Sequence, residues 1–120
     1  MRRTRGTQML VLAALVLGAA VASPGRADGP ERVVAITAHR FEFVPNEVTL
    51  RLGEPVRLRL RSEDVVHGFF SRDLGLDEVI EPGRTTEVVV TPGKAGHFTV
   101  ICDHFCGAGH GNMKMTFVVE

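Results

Sequence analysis

Val56-Arg57-Leu58-Arg59-Leu60-Arg61-Ser62 alternates aliphatic and basic side chains with a period of two. That period places Val56, Leu58 and Leu60 on one face of a strand and the three arginines on the other, so one face is dry and the other wet. The arginine stripe reads as a solvated strand face, with an acidic partner as the alternative. Just upstream, Glu47 to Leu52 sets Val48, Leu50 and Leu52 against Glu47, Thr49 and Arg51, and Gly53-Glu54-Pro55 turns the chain between the two runs. Arg32 to Phe43 carries Val33, Val34, Ile36, Phe41 and Phe43 and predicts a first strand that stops ahead of Pro45-Asn46. Downstream, His67 to Phe70 is followed by an irregular stretch as far as Pro82-Gly83. Strands are then predicted over Thr85–Thr91, His97–Cys102 and Lys114–Val119, with Pro92-Gly93 as a turn. About seven short strands with turn signals every 8–12 residues predict an all-β domain, a Greek-key sandwich or barrel.

The chain has 120 residues, 44% hydrophobic and 23% charged, which suits one domain and gives no compositional support to disorder or coiled coil. Residues 1–27 read as a secretory signal and short linker: basic Arg2, Arg3 and Arg5, an apolar run from Met9 to Ala22, and small residues for cleavage after Ala22 or Ala27. As a helix that run would be about 21 Å long, against roughly 30 Å of bilayer hydrocarbon. The expectation is therefore an export signal, with membrane association only if the segment is retained, and a domain over 28–120 in a periplasmic or otherwise exported location. Of the 14 basic residues, four (Arg2, Arg3, Arg5 and Arg26) lie in the first 27 positions, leaving ten against 14 acidic residues, a net charge of −4. A nucleic-acid binder needs a cationic surface, so that class is excluded. With no Trp and no Tyr, absorbance near 280 nm is expected to be close to nil unless a cofactor supplies it.

The chemistry concentrates in Cys102-Asp103-His104-Phe105-Cys106-Gly107-Ala108-Gly109-His110-Gly111-Asn112-Met113, between two predicted strands, with His67 far upstream. In an exported protein two cysteines first suggest a disulfide, but a bridge over three intervening residues would stabilise little. Two thiols, imidazoles and a thioether are soft donors, which favours copper. Zinc could use Cys102, Cys106, His110 and His67 but has no use for Met113, and iron–sulfur clusters commonly take four cysteines. Two copper readings stay open on the residues alone. A mononuclear blue site would take His67, Cys106, His110 and Met113 and leave Cys102 idle. A dinuclear site would bridge two metals with both sulfurs and give each one terminal imidazole. A Cys106–His110 nucleophile would leave Cys102, Met113 and His67 unexplained, and no phosphate-cradling glycine loop is present.

His67-Gly-Phe-Phe, Leu74-Gly75, Ile80-Glu-Pro-Gly-Arg84, Thr91-Pro92, Gly96 and Cys102-x3-Cys106-Gly107-x2-His110-x2-Met113 together resemble the soluble copper domain of cytochrome c oxidase subunit II. The resemblance runs from about Asp64 to Met115 in order and spacing, and the copper loop of nitrous oxide reductase is similar. It implies a cupredoxin fold and a dinuclear CuA centre. On that pattern Cys102 and Cys106 are the bridging thiolates, His67 and Met113 serve one copper, and His110 with the backbone carbonyl of His104 serves the other. Where the family usually has a Glu that also helps hold magnesium, this chain has His104. The paired membrane helices and the Trp and Tyr of electron entry are missing as well.

The resulting expectation is an exported CuA electron carrier with no substrate chemistry of its own. Its partners would be a cytochrome c or another small redox protein on one side and a terminal oxidase or reductase on the other. The alternatives are a subunit of a cytochrome c oxidase complex and a periplasmic copper chaperone. Among the remaining residues, Met115, Phe69, Phe70 and Phe105 read as core packing, His39 and His97 as boundary residues, and Glu63-Asp64 as part of an anionic surface.

Overall fold

A computed structural model describes residues 32–120 and the isolated Gly18. The export signal expected over 1–27, with its alternative cleavage points, lies outside the described residues apart from that glycine. No helix among the described residues is long and apolar enough to cross a membrane.

Nine strands and one 3₁₀ turn follow in order: β1 (Arg32–His39), β2 (Glu42–Val44), β3 (Glu47–Leu50), β4 (Val56–Ser62), β5 (His67–Ser71), β6 (Leu76–Ile80), β7 (Thr86–Val90), β8 (Gly96–Ile101), the 3₁₀ turn (His110–Asn112) and β9 (Lys114–Val119). They form a four-stranded sheet, β2-β1-β4-β7, and a five-stranded sheet, β3-β9-β8-β5-β6. The pairs β1–β4 and β3–β9 are parallel and the rest antiparallel, as expected of an all-β sandwich whose chain crosses between two layers.

The alternation that decides the fold is kept in register. Val34 and Ile36 on β1 lie beside Leu58 and Leu60 on β4, with Leu58 and Leu60 fully buried, while Arg57 and Arg59 on the opposite face reach Glu87 of β7 at 3.2 and 3.1 Å. A one-residue slip would turn every one of these side chains over, so burial itself specifies the pairing. Between the sheets, Phe69 sits edge-on to Phe43 (centroids 5.4 Å apart) and to Phe117 (6.4 Å), an arrangement that suits the ring quadrupoles.

Two expectations are corrected. The first strand does not run to Phe43: Arg40 and Phe41 form a turn, and the run divides into β1 and β2, paired antiparallel with Thr37 opposite Val44. The stretch expected to be irregular after Phe70 is instead a hairpin, β5–β6, with Phe70 opposite Asp77 and Ser71 opposite Leu76. Its turn closes through Gly75, whose N–H donates to the Arg72 carbonyl and whose φ of +65° lies in the left-handed region that favours glycine. Leu76-Asp-Glu-Val-Ile80 hides its strand character because β6 is an edge. Only Leu76 and Ile80 are buried, and Glu78 interrupts the alternation.

Candidate metal centre

The donor-rich segment is the loop joining β8 to β9, drawn shut at its neck where the Cys102 N–H donates to the Met113 carbonyl (3.1 Å). Cys102 directly follows β8 and Met113 directly precedes β9, so both are held by strands and both are buried. His67, the first residue of β5, enters from the neighbouring strand and is fully buried. β5 can come this close because Gly68 has no side chain. A Cβ there would lie 2.8 Å from the Asp103 nitrogen and 2.7 Å from that of His104. The Gly68 N–H instead donates to Cys102 Sγ at 3.3 Å.

The six donors expected from the sequence converge. Cys102 Sγ and Cys106 Sγ are 3.7 Å apart. His67 Nδ1 lies 3.9 Å from Cys102 Sγ, and His110 Nδ1 lies 3.6 Å from Cys106 Sγ. Met113 Sδ is 3.8 Å from Cys106 Sγ, and the His104 carbonyl oxygen is 3.1 Å from Cys102 Sγ. The coordinating atoms of His67, Cys102 and Cys106 all lie within 4.8 Å of one another. Both cysteines are free thiols, far beyond the ~2.05 Å of an S–S bond. The His104 imidazole turns away: its Nδ1 lies 3.2 Å from the Phe105 carbonyl, leaving the backbone oxygen as the atom His104 presents to Cys102.

Two further residues belong to this site, one of them read otherwise in the sequence. Asp64 is more than an anionic surface residue. Its carboxylate accepts the backbone N–H groups of Arg40 (2.7 Å) and Val65 (2.6 Å) and lies 2.7 Å from His67 Nε2. Partial burial works against its charge, but these hydrogen bonds prevail and hold the carboxyl at about 2, below its ordinary 3.8. An ionised carboxylate only accepts, so His67 donates through Nε2 and keeps the Nδ1 lone pair for the cysteine side. The Asp64-x-x-His67 spacing was the available signal. Arg40, from the β1–β2 turn, donates through Nε to the Cys106 carbonyl at 2.8 Å. Beside it Phe41 underlies the loop glycines: a Cβ on Gly107 would lie 2.9 Å from that ring and one on Gly109 2.5 Å.

Phe105, read as core, is 75% exposed: it stands beside the exposed His104 on the outside of the loop, while Cys106 turns inward, and its ring centroid lies 5.9 Å from that of His110. It borders a groove of about 310 Å³ lined also by Arg40, Val65, Val66, His104 and Cys106. A larger cavity of about 870 Å³, lined by Arg32, Arg51 and Glu120 among others, is at the opposite end of the sandwich, where β9 finishes.

Burial, together with the hydrogen bond and charge of Cys102 and the charge of Asp64, pushes the Cys106 thiol up to about 11, with the Arg40 guanidinium working the other way. A buried thiol pair of this kind favours its thiolate form when a cation neutralises it. Thiols, imidazoles, a thioether and a carbonyl within one pocket are a soft donor set that fits copper.

An all-β sandwich with a soft donor cluster on the loop before its last strand is what the cupredoxin-like domain family describes. That family matches residues 9–119, and the chain belongs to it. Within it the chain is homologous to cytochrome c oxidase subunit 2. It is 32% identical over 93 residues to two such sequences from Thermus thermophilus, the match covering 77% of this chain and 69% and 55% of theirs. The periplasmic domain of cytochrome oxidase subunit II from Bradyrhizobium japonicum has the same fold, with a TM-score of 0.70, 20% identity, and coverage of 76% of this chain and 85% of that one. So has the subunit II domain solved as a mixed disulfide intermediate with a thioredoxin-like protein (TM-score 0.66, 18% identity, 81% and 87% covered). The protein is thus a cupredoxin-type domain in which His67, Cys102 and Cys106 make a candidate copper site.

Proposed function

We propose that the protein is an exported one-electron carrier holding a dinuclear CuA centre. Cys102 and Cys106 would hold the copper pair between them as thiolates, His67 and Met113 would complete the donors of one copper, and His110 with the His104 carbonyl those of the other. The observation that carries this reading is the pairing of sulfurs and imidazoles: two thiols 3.7 Å apart, one with His67 Nδ1 at 3.9 Å and the other with His110 Nδ1 at 3.6 Å. A mononuclear site would leave Cys102 without a task, although it is as deeply buried as Cys106 and accepts the Gly68 N–H.

When bound, the copper pair supplies a one-electron acceptor and donor. The chain's own contribution is to hold the donor set still and dry. Strands β5, β8 and β9 fix His67, Cys102 and Met113. Asp64 keeps the proton on His67 Nε2. The burial of His67, Cys102, Cys106 and Met113 and the closed loop neck exclude water, so little has to reorganise when an electron arrives. No donor or bound proton needs to be displaced for electron exchange, and none of these residues is arranged to transform a substrate. The proposed partners are a cytochrome c or another small redox protein and a terminal oxidase or reductase. The homology to cytochrome c oxidase subunit 2 favours a second reading, in which the same site serves inside an oxidase complex; copurification of a haem-containing membrane subunit would select it.

Substitution tests the assignment. Cys102→Ser and Cys106→Ser are each expected to abolish the dinuclear spectrum, while Met113→Leu retains copper and shifts the reduction potential. An intact spectrum after either cysteine change contradicts the bridging role.

A further inference from the structure

The β1–β2 turn touches both segments that carry the proposed ligands. The Arg40 backbone N–H donates to Asp64 Oδ2 at 2.7 Å, and Asp64 in turn holds His67. The Arg40 side chain donates through Nε to the Cys106 carbonyl at 2.8 Å, a contact between residues 66 positions apart. One residue therefore ties the β5 side of the site to the β8–β9 loop. A carbonyl bonded to a guanidinium is held more firmly than one bonded to water, because the donor is ionised. Arg40 has no carboxylate side chain within 4.0 Å of its guanidinium among the described residues, the Asp64 contact being made by its backbone, so no ion pair cancels that charge.

Resting on the copper reading above, we infer that Arg40 is a positioning residue that also sets the reduction potential of the centre. It pins the Cys106–Gly107 backbone so that the Cys106 sulfur stays aimed inward. It also places a positive charge beside the thiolate pair, which favours the form of the centre that has gained the electron. Replacing the charge with a neutral side chain therefore lowers the potential.

Three variants of the full chain separate the two effects. In the copper-loaded protein, Arg40→Gln is expected to shift the potential to more negative values and Arg40→Lys to keep it near that of the wild type. In the metal-free protein, Arg40→Ala is expected to speed hydrogen exchange several-fold at the His110 amide, whose N–H donates to the Gly107 carbonyl (3.1 Å). Arg40→Lys is expected to restore part of that protection. Equal potentials in wild type and Arg40→Gln, or equal shifts in the Lys and Gln variants, overturn the role of the charge. Unchanged exchange in Arg40→Ala overturns the positioning role. A wild-type protein that binds one copper or none overturns the reading beneath, while the metal-free exchange still decides the contact.

Discussion

Asp64 is exposed, yet its carboxylate fixes the ring of a fully buried histidine. Its pKa in the folded protein, about 2, is below the ordinary 3.8. The folded state is therefore stabilised by the ionised carboxylate at pH values above about 4, and that contribution is lost as the pH falls through about 2. The denaturation midpoint of the metal-free protein is expected to drop across this window, and that of Asp64→Asn to drop less. Parallel curves for the two proteins would contradict the role of the carboxylate. Ligand residues are the most legible part of such a site, because coordination demands particular side chains at close spacing. Cys102, Cys106, His110 and Met113 stand within twelve positions. Asp64 was hidden in what resembles an ordinary acidic turn. Arg40 was hidden by distance along the chain, since no local pattern announces a contact with Cys106. Phe105 is hidden for a related reason: hydrophobicity alone does not say that a loop residue stands outside while the next one, Cys106, turns inward.

Strand β5 meets the β8–β9 loop at Gly68, where the close approach that admits His67 leaves no space for a side chain. Gly68→Ala would drive a Cβ against the backbone nitrogens of Asp103 and His104, which cannot swing aside as a side-chain tip would. The expected result is a loss of ~1–3 kcal/mol in stability, measured by chemical denaturation, together with impaired copper uptake. Wild-type stability and copper content in this variant would contradict the packing described. Deeper in the same sheet, Phe69→Ala removes the ring that both Phe43 and Phe117 meet edge-on. It is expected to cost about 3–5 kcal/mol in the same assay, and a loss under 1 kcal/mol would show that the cluster is not a core. At this scale β4 and β9 could be read residue by residue, because one face of each is buried and the alternation is unbroken. The β5–β6 hairpin could not. An edge strand buries only its ends, and the acidic side chains that keep it from pairing with other chains also erase its period.

Over the whole molecule, a domain with ten basic and 14 acidic residues beyond position 27 carries its exposed Phe105 at the rim of the candidate copper site. For a basic redox partner this charge speeds encounter, so the second-order rate of electron exchange is expected to fall as ionic strength rises. A rate independent of salt would contradict a steered encounter. The exported location proposed for the chain also exposes its two neighbouring thiols to oxidation. Copper loading of air-oxidised protein is accordingly expected to require a reductant, and full uptake by the disulfide form would refute this. Overall fold class was legible because sandwich formation rests on strand alternation and turn residues. The number of metals is a property of how two sulfurs share them, and spacing alone left it open. Electron paramagnetic resonance with metal counting on the copper-loaded protein tests that point most directly. The account predicts two coppers per chain and one unpaired spin delocalised over both nuclei; a single copper with a four-line hyperfine pattern would contradict it.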